Sequence, residues 1–101
     1  MNINEIPEVT TLNWKEEEGI VIINTGIDKI ILNKTASIIW NMINGIDTIE
    51  EIIDELKKQY GEDNSEEYLE EITIQAIQEF VDNKMVILKS TNEFDGWLQY
   101  E

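Results

Sequence analysis

The chain has 101 residues, a length that fits one domain with one modest core. Its 22 acidic residues outnumber its 7 basic ones, all of them lysines, and the formal net charge is −15. Nucleic acids and anionic membrane surfaces are bound through clustered Lys and Arg, so this charge argues against both kinds of partner.

The composition also argues against catalysis. The chain has no cysteine and no histidine, so it lacks a thiol nucleophile, thiolate metal ligands and an imidazole base. Ser37, Ser65 and Ser90 have no histidine to activate them, and the paired acidic residues fall on polar helix faces or in turns. We therefore expect no enzymatic activity, no metal and no cofactor.

Two features favour a cytoplasmic protein. The N-terminal residues contain two acidic side chains and no apolar run after a basic one, unlike a signal peptide. The longest apolar stretch, residues 20–23, is far shorter than the ~20 residues that a membrane-spanning helix requires.

The first third of the sequence predicts strands. Residues 9–14 are rich in Val, Thr and Trp, and residues 20–24 and 27–32 are rich in Ile. The polar residues 15–19 and the pair Thr25-Gly26 form turns between them. This order predicts a three-stranded antiparallel meander.

Two helices follow. The first is predicted to begin at Asn33 or Thr35 and to end before Gly45. The second begins at Thr48, and Glu51 three residues later completes a capping box. Both carry apolar residues at helical spacing, which predicts one buried face each.

A third helix and a final strand complete the predicted fold. The helix begins at Asn64 or Ser65, and residues 85–89 form a strand that would serve as a wing. We predict an α+β fold, a winged helix-turn-helix with an N-terminal three-stranded antiparallel sheet and three helices. Residues 1–90 form a single domain, and residues 91–101 form a C-terminal tail.

The third helix is unsuited to DNA. As a recognition helix it would present six acidic side chains before its first lysine, Lys84, and phosphates would repel it.

One face of this third helix carries enough apolar residues for a core: Leu69, Ile72, Thr73, Ala76 and Phe80. Three more apolar residues lie on a flank about 60–120° away: Ile74, Ile77 and Val81. Either the helix is buried on two sides, or this flank forms one wall of an open groove.

The third strand offers a matching surface. If Ile30 and Leu32 point into the core, then Ile27, Lys29 and Ile31 face the other way. The third strand of a meander is an edge unless another element covers it. Such an edge beside an apolar helix flank suits β-augmentation, in which an extended peptide adds to the sheet.

An ordered set of short motifs identifies a family resemblance. The motifs are Leu32-Asn33-Lys34-Thr35-Ala36, Ile39-Trp40, Ile43-Asn44-Gly45, Thr48-Ile49-Glu50-Glu51-Ile52, Leu56 and Tyr60-Gly61. Together they resemble the PqqD-like family, whose members are recognition elements for ribosomally synthesised, post-translationally modified peptides. The resemblance is dense over residues 32–61 and extends in element order over residues 8–90. Asn83-Lys84 replace the glycine that usually precedes the last strand.

The resemblance implies a function. Such a domain binds the leader of a precursor peptide as a strand added to the third strand and lying against the third helix. It then presents the peptide to a maturation enzyme, often a radical-SAM protein, a cyclase or a protease. On this basis the expected peptide-binding residues are Ile27, Asp28, Lys29, Ile30, Ile31, Ile74, Ile77 and Val81. The alternative is a winged-helix regulatory protein that acts through protein contacts, including a homodimer formed through its tail.

Two further expectations concern the C-terminal part of the chain. Residues 61–101 hold 11 acidic residues and 2 lysines, a net charge of −9, which predicts a leader that is neutral to basic near the groove. The tail contains Phe94, Trp97, Leu98 and Tyr100, which predicts that it either packs on its own domain or docks onto a partner.

Overall fold

The computed structural model describes residues 1–90. Its elements, in chain order, are β1 (Ile6–Val9), β2 (Trp14–Glu17), β3 (Ile20–Asn24), β4 (Lys29–Ile31), α1 (Lys34–Met42), α2 (Ile49–Tyr60), α3 (Glu66–Asp82) and β5 (Val86–Lys89). The α+β class, the three helices and a three-stranded antiparallel sheet are confirmed. The predictions for the tail fall on residues 91–101, outside the described residues.

The three-stranded sheet has the order β2-β3-β4. Its central strand coincides with the predicted residues 20–24, but the predicted first strand, residues 9–14, is wrong. The backbone turns at Glu18 and Gly19, where φ is 52° and 82°. Positive φ at both central residues is typical of a two-residue hairpin turn, so the four residues before Glu18 pair with β3. The polar run assigned to a turn is therefore mostly strand β2.

A second, two-stranded sheet joins the two ends of the described chain. Strand β1, which the sequence did not predict, pairs antiparallel with β5, so that Ile6 faces Lys89 and Val9 faces Val86. The predicted final strand is confirmed, and its partner lies at the N-terminus.

The helices begin where the capping residues predict. Asn33 caps α1 through its side-chain oxygen, which accepts a hydrogen bond from the amide of Ala36 at 2.8 Å. The capping box of Thr48 and Glu51 is present at the start of α2, and Ser65 caps α3. Within residues 1–90, no helix is both long enough and apolar enough to cross a membrane.

The core is centred on Trp40 of α1, whose side chain is almost completely buried. Its ring meets those of Trp14 and Phe80 edge-on, with centroid distances of 5.8 Å and 5.1 Å. One aromatic residue from each of β2, α1 and α3 therefore links the sheet to the third helix. This contact fixes the position of α3 relative to the three-stranded sheet.

Candidate functional site

Strand β4 forms one edge of the three-stranded sheet, and its side chains alternate as predicted. Leu32 is buried and Ile30 packs against the core, whereas Lys29 is exposed and Ile31 is 68% exposed. An exposed isoleucine on an edge strand is unusual in a protein that must avoid unwanted strand pairing.

The backbone of β4 bonds to β3 through alternate residues. The amide of Leu32 donates to the carbonyl of Val21 at 2.9 Å. In an antiparallel ladder every second residue faces the partner strand, so Ile30 also bonds to β3. Lys29 and Ile31 therefore direct their N–H and C=O groups towards the open edge of the sheet.

The residues before β4 belong to a turn. The amide and the hydroxyl of Thr25 both donate to the carbonyl of Asp28 at 2.9 Å, and the amide of Asp28 donates to that hydroxyl at 3.0 Å. Both backbone groups of Asp28 are thus already bonded. Ile27 lies at the turn and is 93% exposed. The open edge is consequently shorter than the predicted binding segment and is centred on Lys29 and Ile31.

The opposite edge of the sheet, β2, is protected by charge. Lys15, Glu16 and Glu17 are all exposed, and Lys15 forms an ion pair with Glu17 at 2.9 Å. The Lys15 ammonium holds the pKa of the Glu17 carboxyl below its usual value. Charged side chains on an edge strand oppose the addition of another strand, so β4 is the more receptive edge.

A groove lies directly beyond β4 in the chain. It is open to solvent, has a volume of about 610 Å³, and lies between the start of α1 and the exposed side of α3. We call it the α1–α3 groove. Its lining residues are Met1, Asn33, Thr35, Ala36, Tyr68, Ile72, Ile74, Gln75, Ala76, Gln78, Glu79 and Asp82. A single residue, Leu32, separates the last residue of β4 from Asn33, the N-cap of α1, which lines the groove.

The α1–α3 groove has an apolar section and an acidic section. Ala36, Ile72 and Ala76 supply small or apolar side chains, and Tyr68 is about half exposed beside them. Glu79 and Asp82, in the last turn of α3, supply two carboxylates. The lining residues include no lysine.

The structure changes the predicted assignment of the faces of α3. Ile77, predicted to lie on the binding flank, is 0% exposed and belongs to the core, so its side chain does not face the α1–α3 groove. Val81 is partly buried against the core and does not line the α1–α3 groove, whereas Ile74 does line it. Conversely, Ile72 and Ala76, which were assigned to the core, line the groove.

Thr73 is buried, as the sequence predicted. Its hydroxyl donates to the carbonyl of Leu69 at 2.7 Å, so it occupies a core position at little cost. The buried stripe is therefore Leu69, Thr73, Ile77 and Phe80. The groove residues missed by sequence reasoning carry one recognisable signal: Ala36 and Ala76, on the two helices, are small residues among larger ones.

Comparison with known proteins places this arrangement in a family. The family model described as Coenzyme PQQ synthesis protein D (PqqD) matches residues 19–86, which is more than half of the chain. The chain belongs to the PqqD family. The match spans β4, the three helices and the first residue of β5, and thus includes nearly all of the candidate site. Searches of curated proteins and of solved structures found no match.

Proposed function

We propose that this PqqD-family chain binds the leader of a ribosomally synthesised precursor peptide and presents it to a maturation enzyme, without catalysing a reaction itself. The observation that carries the proposal is that the open edge of β4 and the α1–α3 groove are separated by one residue of the chain. An edge alone would accept any extended chain, whereas a groove beside it adds selection of side chains.

The two parts of the site have separate roles in this proposal. The N–H and C=O groups of Lys29 and Ile31 bond to the backbone of the leader, which adds to the sheet next to β4. Side chains of an added strand alternate between the two sheet faces. Those on the core side enter the α1–α3 groove, and those on the other side lie next to Ile31.

We also infer that the order of α2, a short turn, α3 and β5 is that of a winged helix-turn-helix used for peptides rather than for DNA. The acidic residues of α3 support this inference, because they would repel phosphates. The partners that follow are a precursor peptide and a maturation enzyme of the radical-SAM, cyclase or protease type. We place this activity in the cytoplasm.

The test is a titration of the full chain with the fluorescently labelled leader of a precursor peptide encoded next to the gene for this chain. We expect a saturable rise in fluorescence anisotropy, competition by unlabelled leader and no competition by a scrambled leader of the same composition. Equal competition by the leader and its scrambled version would contradict sequence-specific recognition.

A further inference from the structure

The last turn of α3 departs from a general rule for helix ends. A helix C-terminus carries partial negative charge, which favours basic side chains there and disfavours acidic ones. This turn contains Glu79 and Asp82 and no basic residue. Because both acidic residues line the α1–α3 groove, one end of the groove combines two carboxylates with the negative end of the helix dipole.

Neither of these carboxylates forms an ion pair within the described residues, although Lys84 follows Asp82 by two residues. Within residues 1–90 the ion pairs are those of Lys15 with Glu17 and of Lys89 with Glu8, and neither includes a residue of α3. The side-chain amide of Gln78 donates to the Asp82 carboxylate at 2.9 Å, which leaves its charge in place. A breach of a local rule that no ion pair offsets is typical of functional sites.

The spacing between the apolar and acidic sections matches an extended peptide. From Ala76 to the midpoint between Glu79 and Asp82 is four to five helical residues, about 7 Å at the rise of an α-helix. Two residues of a β-strand span about 6.6 Å, and residues two apart lie on the same face of a strand. A strand running along α3 would therefore place alternate side chains in the two sections.

Building on the proposed function, we propose that the α1–α3 groove selects leaders with a large apolar residue and a Lys or Arg two positions apart. The apolar side chain lies against Ala36, Ile72 and Ala76, where the small alanines leave room for it. The cation pairs with Glu79 and Asp82 and offsets their unfavourable position at the helix end.

The test uses a displayed library of random twelve-residue peptides, selected for binding to the full chain. We expect enrichment of a large apolar residue with a Lys or Arg two positions away. Selection on the double variant Glu79→Gln and Asp82→Asn should keep the apolar preference and lose the basic one. The matched control, Glu67→Gln with Glu71→Gln, removes the same charge from residues of α3 that do not line the groove, and should keep both preferences.

A double-mutant cycle measures the coupling between the basic residue of the peptide and the two carboxylates of the groove. Replacing the basic residue of one selected peptide by Gln should weaken its binding to the original chain about 1.5- to 5-fold, as for exposed ion pairs. The same replacement should have little effect on binding to the Glu79→Gln, Asp82→Asn variant. The variant should melt at the same or a higher temperature, since it removes negative charge from a helix C-terminus.

The outcomes separate this proposal from the one on which it rests. Selected peptides without a basic preference, or with one that the double variant retains, would overturn the inference and leave peptide binding intact. A library from which the full chain enriches no peptide would count against both. In the double-mutant cycle, an equal loss of affinity for the original chain and for the double variant would also overturn the inference. This comparison does not depend on the stabilities of the two proteins.

Discussion

The hydroxyl of Ser37 accepts a hydrogen bond from the backbone N–H of Val21 at 2.9 Å, and both residues are completely buried. The carbonyl of Val21, near the start of β3, accepts a hydrogen bond from the amide of Leu32, directly after β4. Ser37, in the first turns of α1, thus provides the acceptor for the Val21 N–H. This bond ties α1 to the sheet and fixes the edge of β4 relative to the α1–α3 groove.

The first prediction concerns this bond. Ser37→Ala leaves the N–H of Val21 buried without an acceptor, which should lower the free energy of unfolding by about 1–3 kcal/mol. Urea denaturation followed by circular dichroism measures the change. Thr25→Ala is the control. It removes an exposed hydroxyl, and water can replace the hydrogen bonds that this hydroxyl makes to the backbone of Asp28. An equal or larger loss for Thr25→Ala would contradict the structural role of Ser37.

The second prediction separates the core face of α3 from its groove face. Ile77→Ala removes a fully buried side chain and should cost about 2–5 kcal/mol of stability, with leader affinity of the folded protein unchanged. Ile72→Ala changes a partly exposed side chain of the groove, so it should cost less stability and weaken leader binding. Denaturation curves and fluorescence anisotropy at a temperature where both variants are folded measure the two effects.

The opposite pattern would restore the assignment made from the sequence. If Ile77→Ala weakened leader binding strongly and lowered stability only slightly, the flank of Ile74, Ile77 and Val81 would be the binding surface. Val81→Ala serves as a further control, because Val81 is partly buried but does not line the groove. It should leave affinity unchanged.

The third prediction concerns the backbone of β4. Proline lacks an N–H, and an edge strand tolerates it where that N–H faces solvent. Ile31→Pro should therefore keep the fold with a modest loss of melting temperature and weaken leader binding at least tenfold. Ile30→Pro removes a donor from the β3–β4 ladder and should destabilise the sheet instead.

Ile31→Thr controls for the side chain, since threonine keeps the N–H and a high strand propensity. It should retain more of the binding than Ile31→Pro. Thermal melts identify any variant that is unfolded at the assay temperature. A folded Ile31→Pro variant with unchanged affinity would exclude main-chain pairing at this position.

Local signals predicted the elements that local interactions define. The caps Asn33, Thr48 and Ser65 each act within three residues of their position, so the sequence located the start of α2 and placed the other two helix starts within one or two residues. The edge β4 was also predicted, because Leu32 and Ile31 differ in burial as their alternation requires. The position of the turn at Glu18 was harder to predict, since a positive φ is uncommon for a residue other than glycine.

Long-range pairing and helix rotation were not predictable from such signals. The partner of β5 is 77 or more residues away, at β1, and β1 contains Pro7, which weakens its strand signal. The orientation of α3 depends on its packing against α1, α2 and β5, which buries Ile77 and leaves Ile72 partly exposed. Periodicity placed Thr73 in the core correctly, but it could not decide which of the isoleucines on either side of Thr73 would be buried.

The fourth prediction concerns salt. A leader that pairs with Glu79 and Asp82 should bind more weakly when the ionic strength rises from ~0.1 M to ~1 M, which shortens the Debye length from about 10 Å to about 3 Å. Anisotropy titrations at several NaCl concentrations measure the slope. A flat response would argue against a cation at the acidic section while leaving the apolar section in place, and the Glu79→Gln, Asp82→Asn variant should reduce the slope.

The central claim is that the leader adds to the edge of β4 and enters the α1–α3 groove. Amide chemical-shift mapping of the ¹⁵N-labelled full chain during titration with the leader tests it most directly. We predict that the largest changes occur at Lys29 and Ile31 and at the groove residues Ile72 and Ala76. Changes confined to β2, the other edge of the same sheet, or to the β1–β5 pair would contradict the account.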